Sequence, residues 1–114
     1  MTPPLPALGE LEREILARKS STAEKSYTRS LLDGGPEKIG KKLREEADEL
    51  ARAVDHESSD RVASEAADLL YHALVGLAAR DVTVREVLAE LARRRGVSGH
   101  DEKRSRSAPS PVTK

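Results

Sequence analysis

At 114 residues the chain has room for one domain with a modest core. Its 20 basic and 20 acidic residues cancel, which excludes the net basic charge of a general nucleic-acid or membrane-surface binder, and the absence of cysteine excludes disulfides, thiolate metal sites and thiol nucleophiles. Phe and Trp are absent and Tyr occurs twice, so Leu, Val, Ile and Ala must build the core. Such small groups gain about 25 cal/mol per Å² buried, which predicts a marginal monomer and a homodimer in which a second copy completes the helical bundle.

The N-terminus, Met1-Thr2-Pro3-Pro4, has no basic region followed by an apolar core, and no apolar run approaches the ~18 residues of a spanning helix. A soluble, cytoplasmic protein with no membrane and no nucleic-acid partner is expected. After the prolines, Leu8, Leu11 and Ile15 recur at helical spacing and predict an amphipathic first helix from Pro3 to Lys19. Ser20-Ser21-Thr22 interrupts it, and Ser21 or Thr22 can cap a short second helix through about Leu32.

Asp33-Gly34-Gly35-Pro36 is the clearest breaker in the chain. Gly35 suits an N-cap and Pro36 a first helical position, where its missing N–H leaves nothing unpaired. The third helix then runs to about Val54, with Ile39, Leu43, Ala47, Leu50, Ala51 and Val54 as its apolar stripe and Glu46 beside that stripe. Ser58 or Ser59 caps the fourth, which from Val62 to Ala79 is apolar almost all round and reads as a buried helix. Thr83-Val84-Arg85-Glu86 fits a capping box for a fifth helix ending at Arg93-Arg94-Arg95 and Gly96. Strand patterns, repeats, P-loops and dinucleotide fingerprints are missing, so the class is all-α, a four to five helix bundle over residues 1–97 with a disordered polar and basic tail over 98–114.

The chemistry lies in two helical faces. Lys42, Glu45, Glu46 and Glu49 fall within one arc of about 100° on the third helix, and Asp48 points elsewhere. On the fourth, Arg61, Glu65, Asp68 and His72 share a similar arc. Like charges about 4 Å apart repel by roughly 4 kcal/mol at an effective dielectric near 20, so opposed faces of this kind call for a divalent cation. Acidic residues on a charged helix are ordinarily a solvated surface. Glu65 and Asp68, however, interrupt an otherwise apolar helix and repeat the spacing of Glu46 and Glu49, which solvation does not explain.

Mg²⁺ takes oxygen ligands, keeps several waters and recruits substrate phosphates, so this donor set suits hydrolysis of a phosphoanhydride. Lys42 on the acidic arc, Lys38 and Lys41 beside it, and Arg29 from the preceding helix are candidate binders of a polyphosphate substrate. His72 reads as a core residue satisfied by a hydrogen bond, with metal ligation the alternative. The Glu-x-x-His pair of di-iron bundles is missing.

Glu46-x-x-Glu49, a gap of fifteen residues and Glu65-x-x-Asp68 resemble the signature of the all-α nucleotide pyrophosphohydrolase superfamily. Three segments narrow the likeness to the phosphoribosyl-ATP pyrophosphatases of histidine biosynthesis: Ser26-Tyr27-Thr28 with Leu31; Gly35-x-x-Lys38-Ile39-Gly40-Lys41-Lys42 leading into Glu45-Glu46; and Glu65-Ala66-Ala67-Asp68-Leu69-Leu70-Tyr71-His72. The resemblance spans roughly residues 8–95. It implies hydrolysis of 1-(5-phosphoribosyl)-ATP to 1-(5-phosphoribosyl)-AMP and pyrophosphate, the second step of the pathway, by a homodimer with Mg²⁺ at Glu46, Glu49, Glu65 and Asp68. Glu45 matches the paired glutamate before them and is expected, with Glu46, to serve catalysis by orienting water or a second ion. Arg44 stands where a small or uncharged residue is expected. A housekeeping pyrophosphohydrolase of non-standard nucleoside triphosphates and a non-catalytic helical interaction module remain the alternatives.

Overall fold

A computed structural model of the chain describes residues 8–20 and 26–95, and every regular element among them is helical. These helices are α1 (Leu8–Ser20), α2 (Tyr27–His56), α3 (Ser59–Ala79) and α4 (Val84–Arg94). The chain falls into two compact units, one ending at Val84 and the other beginning at Arg85. The all-α class is as expected. The break expected at Asp33 to Pro36 falls inside α2, where a non-helical Gly35 divides two helical runs.

Ser26 starts α2: its backbone is extended and its Oγ accepts the Arg29 N–H at 3.0 Å, satisfying one of the unpaired donors of a helix start. The cap expected at Ser21 or Thr22 lies outside the described residues. At Gly35 the backbone turns to φ 79°, ψ −178°, a region accessible essentially to glycine, and helix resumes at Pro36. α2 is therefore two helical runs joined by a kink, and it extends to His56, past the expected end at Val54.

Ser58 caps α3, its Oγ accepting the Arg61 N–H at 3.2 Å. The short link from α2 turns the chain back on itself. Glu49 meets Glu65 and Ile39 lies against Gly76, an order that makes the second run of α2 antiparallel to α3, while the first run folds back at Gly35 so that Thr28 bonds Tyr71. Ile15, Leu31, Ile39, Leu74, Val75, Ala78 and Val84 form the core, with Leu31 and Val75 fully buried.

Long cationic side chains close the helix ends. At the exit of α3, Asp81 takes φ 58°, with Asp81 N–H to Ala78 O at 3.2 Å and Val82 N–H to Leu77 O at 2.9 Å, a Schellman termination. Lys19, from the end of α1, donates to Ala78 O at 2.6 Å and to Asp81 Oδ1 at 2.7 Å, and that pairing holds the Asp81 carboxyl below its ordinary range. Arg29 in turn donates to Lys19 O at 3.0 Å and Arg18 O at 3.3 Å, closing α1, while its Nε lies 3.1 Å from Asp33.

The burial expected for α3 is only partly met. Glu65, His72, Leu74, Val75 and Ala78 are buried, but Leu70 is half exposed and Val54 on α2 is 66% exposed, because a single chain offers α3 little beyond α2 to pack on. With a mean hydropathy of 1.2 over 18 residues, this 21-residue helix just reaches the length and composition of a membrane span, a test that core helices also pass. In α4, Glu90 receives Arg93 at 2.6 Å and Arg94 at 3.0 Å, and the two guanidinium groups hold its carboxyl down to about 2. The stop at Gly96 and the tail over 98–114 lie outside the described residues.

A Cβ at Gly35 meets no atom within 4 Å, so replacing it tests backbone strain alone. Gly35→Ala is expected to cost about 1–3 kcal/mol in urea unfolding, and an unchanged midpoint would show that the kink needs no glycine.

Candidate metal centre

Because α2 and α3 run antiparallel, their acidic faces meet. One carboxylate oxygen from each of Glu46, Glu49 and Glu65 lies within 4.8 Å of the others. Glu46 and Glu65 are only 7% and 5% exposed, and each keeps one oxygen, Oε1 in both cases, that is buried and meets no hydrogen-bond donor. A buried carboxylate without donors is costly, and two of them facing a third are more so. This is the observation that fits a cation: hard oxygen donors, converging, with unused lone pairs.

Neighbouring cations offset part of the charge from outside. Lys42 Nζ stands 3.3 Å from Glu45 and 3.6 Å from Glu46, and its ammonium is held in the charged form chiefly by the hydrogen bond to Glu45. Arg61 pairs with Glu65 Oε2 and, at 3.4 Å, with Glu57. Burial pushes the Glu65 carboxyl up, the contact with Glu49 and the charges of Glu49 and Asp68 push it the same way, and Arg61 only partly opposes them.

Each residue singled out in the sequence has a definite place. Glu46, Glu49 and Glu65 converge. Asp68 is exposed and stands outside that trio, near enough to act on Glu65. Glu45 is exposed and engaged by Lys42. Lys41 is exposed, and Lys38 reaches Ser30 O at 3.5 Å. Arg29 and Lys38 line an open cavity of about 450 Å³ with Ser26, Ser30, Asp33 and Gly34, although the Arg29 guanidinium is already used in closing α1. Asp48 turns away to pair with Arg52, as the helical wheel requires.

His72 is buried with both ring nitrogens engaged. Its Nδ1 lies 2.7 Å from Asp68 O, which can only accept, so Nδ1 donates. Nε2 then accepts the Tyr27 hydroxyl at 2.7 Å, leaving no nitrogen for a metal. Tyr27 belongs to a segment that carries the family resemblance, but nothing local in the sequence assigns it a place at the site. What reveals it is the return of α3 past Ser26-Tyr27-Thr28.

In chelator-treated protein the raised Glu65 favours the fold below the ordinary carboxylate range near 4.3, and that contribution is lost as pH rises through its raised folded value. Urea midpoints from pH 4 to 8 should therefore climb for Glu65→Gln relative to the parent. Parallel profiles would show that the carboxylate is not strained.

Comparison with known proteins finds that residues 8–95 match the family described as phosphoribosyl-ATP pyrophosphohydrolase. The chain is 52% identical over 99 residues to a phosphoribosyl-ATP pyrophosphatase of Dinoroseobacter shibae, covering 87% of this chain and 97% of the relative. With the same-named protein of Azorhizobium caulinodans it shares 54% over 99 residues, covering 87% and 91%. A histidine biosynthesis bifunctional protein of Wolinella succinogenes is 50% identical over 96 residues, which take up 84% of this chain and 42% of that longer protein.

Proposed function

Because the chain belongs to the phosphoribosyl-ATP pyrophosphohydrolase family, we propose that the acidic cluster between α2 and α3 is where it hydrolyses its nucleotide. The activity is hydrolysis of 1-(5-phosphoribosyl)-ATP to 1-(5-phosphoribosyl)-AMP and pyrophosphate, in histidine biosynthesis. The family match supports taking residues 1–97 as the catalytic domain and 98–114 as a tail beyond it. A water-soluble substrate and the absence of cysteine agree with a cytoplasmic setting.

The observation that carries the site is the pair of buried, donorless oxygens on Glu46 and Glu65. Glu46, Glu49 and Glu65 would hold Mg²⁺, with Asp68, one turn further along α3, as the fourth carboxylate of the site. The bound ion supplies positive charge to phosphate oxygens and lowers the pKa of water. Around it the chain's own groups do the positioning. Glu45, on the solvent side and tied to Lys42, orients the attacking water. Lys38, Lys41 and Lys42 neutralise the polyphosphate, and Arg29 contributes from the wall of the cavity it shares with Lys38. One water is consumed and one P–O–P linkage is broken, with pyrophosphate leaving.

Pyrophosphate release should be measured on phosphoribosyl-ATP and on a panel of nucleoside triphosphates, with and without Mg²⁺. Turnover is expected on phosphoribosyl-ATP and only with the metal. Glu46→Gln and Asp68→Asn remove ligand charge at nearly constant volume. Loss of an outer partner of a metal ligand already costs about 10–100-fold, so each should lose at least about hundredfold in kcat with its helical circular dichroism intact. Parent-like activity in either would remove that residue from the site.

A homodimer accounts for the apolar surface that α2 and α3 leave uncovered, Val54 and Leu70 above all. Light scattering at micromolar concentration is expected to give twice the 12.4 kDa chain mass, and a monomer mass would overturn the dimer.

A further inference from the structure

Carboxylates and lysines account for the phosphate end of the substrate and leave its purine unrecognised. The chain has two tyrosines and no other aromatic ring of that size, and the fold stacks them on each other with Tyr27 in electrostatic reach of Glu45 and Glu46. Tyr71 is partly buried, stacked on Tyr27 with centroids 6.1 Å apart and planes 20° from parallel, and its hydroxyl bonds Thr28 Oγ1. His72 meets Tyr27 edge-on at 5.6 Å and 82°, its Nε2 accepting the Tyr27 hydroxyl. One face and the hydroxyl end of Tyr27 are thus engaged, yet the residue is 52% exposed, which an uncovered opposite face accounts for.

Core packing explains Tyr71 and does not explain Tyr27. A ring held from behind and at its edge is rigid, and a rigid exposed aromatic surface loses little entropy when a ligand lies on it. The ring also stands next to the chemistry. Two hydrogen bonds, through His72, link it to the Asp68 carbonyl on the acidic turn of α3. Lys42, Glu46 and Glu45 all act on its hydroxyl, which partial burial and the two glutamates push up and Lys42 pulls down.

We propose that the open face of Tyr27 is the stacking platform for the purine of the substrate, with Tyr71 behind the ring and His72 at its edge fixing the plane. This rests on the phosphoribosyl-ATP reading above. Stacking uses the π-face that every base has, so Tyr27 supplies affinity for the base and takes no part in the chemical step.

The chain lacks Trp, so Tyr27→Trp keeps a ring and places the only indole of the protein at the site. In the full chain, Tyr27→Leu should raise KM for phosphoribosyl-ATP about tenfold or more with kcat little changed, while Tyr27→Trp should keep KM near the parent value. AMP should quench the indole emission of Tyr27→Trp saturably, and ribose 5-phosphate and pyrophosphate should not. An unchanged KM in folded Tyr27→Leu, or emission indifferent to AMP, would overturn the platform. Should Tyr27→Leu fail to fold, the quenching decides alone. Should the parent fail to turn over phosphoribosyl-ATP, the functional reading falls, and AMP quenching still decides whether Tyr27 binds a base.

Discussion

Between α2 and α3, Glu46 and Glu65 are taken almost wholly out of water, and each keeps an oxygen that no donor reaches. Burial, the adjacent Glu49 and the nearby Asp68 all act against ionisation of Glu65, with Arg61 the single opposing charge among these neighbours. A helix pair selected only for stability would place apolar groups at such positions. The chain carries these charges at a cost to its own fold, and the cost is relieved when a cation or a proton enters.

The rest of the first unit serves to hold that arrangement. Gly35 and Pro36 bend α2, so that one helix supplies Ser26-Tyr27-Thr28 at one end and Glu45-Glu46 and Glu49 at the other, both facing α3. His72 ties the first of these to α3, accepting from Tyr27 while it donates to the Asp68 carbonyl one turn back in its own helix. α1 packs on the same core through Ile15, and its terminal Lys19 seals the exit of α3 at Ala78 and Asp81. Arg29 completes this chain of caps by closing α1 itself. A basic residue that looks in sequence like a phosphate binder thus also works as a helix cap.

The carboxylate spacing was legible because helical periodicity is local: residues three or four apart share a face whatever surrounds the helix. The wheel separated Glu46 from Asp48, and the apolar run of α3 marked Glu65 as anomalous. Less was legible where meaning depends on a partner far along the chain. The return of the first run of α2 onto α3 and the occupation of His72 Nε2 by Tyr27 involve contacts that no local pattern announces. The incomplete burial of α3 belongs here too, since an apolar helix is covered only to the extent that neighbours exist to cover it.

By itself, then, the sequence determined the helical class, the two acidic faces, the breaker at Gly35 and the order of motifs that identify the family, because propensity, capping and periodicity act over a few residues. Only the tertiary structure decided that Glu46, Glu49 and Glu65 converge while Asp68 stands outside them, that Lys19 and Arg29 are caps, and that Tyr27 reaches His72. Those outcomes follow from how α3 folds back along α2, and the register between two antiparallel helices is set by side-chain packing over the whole interface.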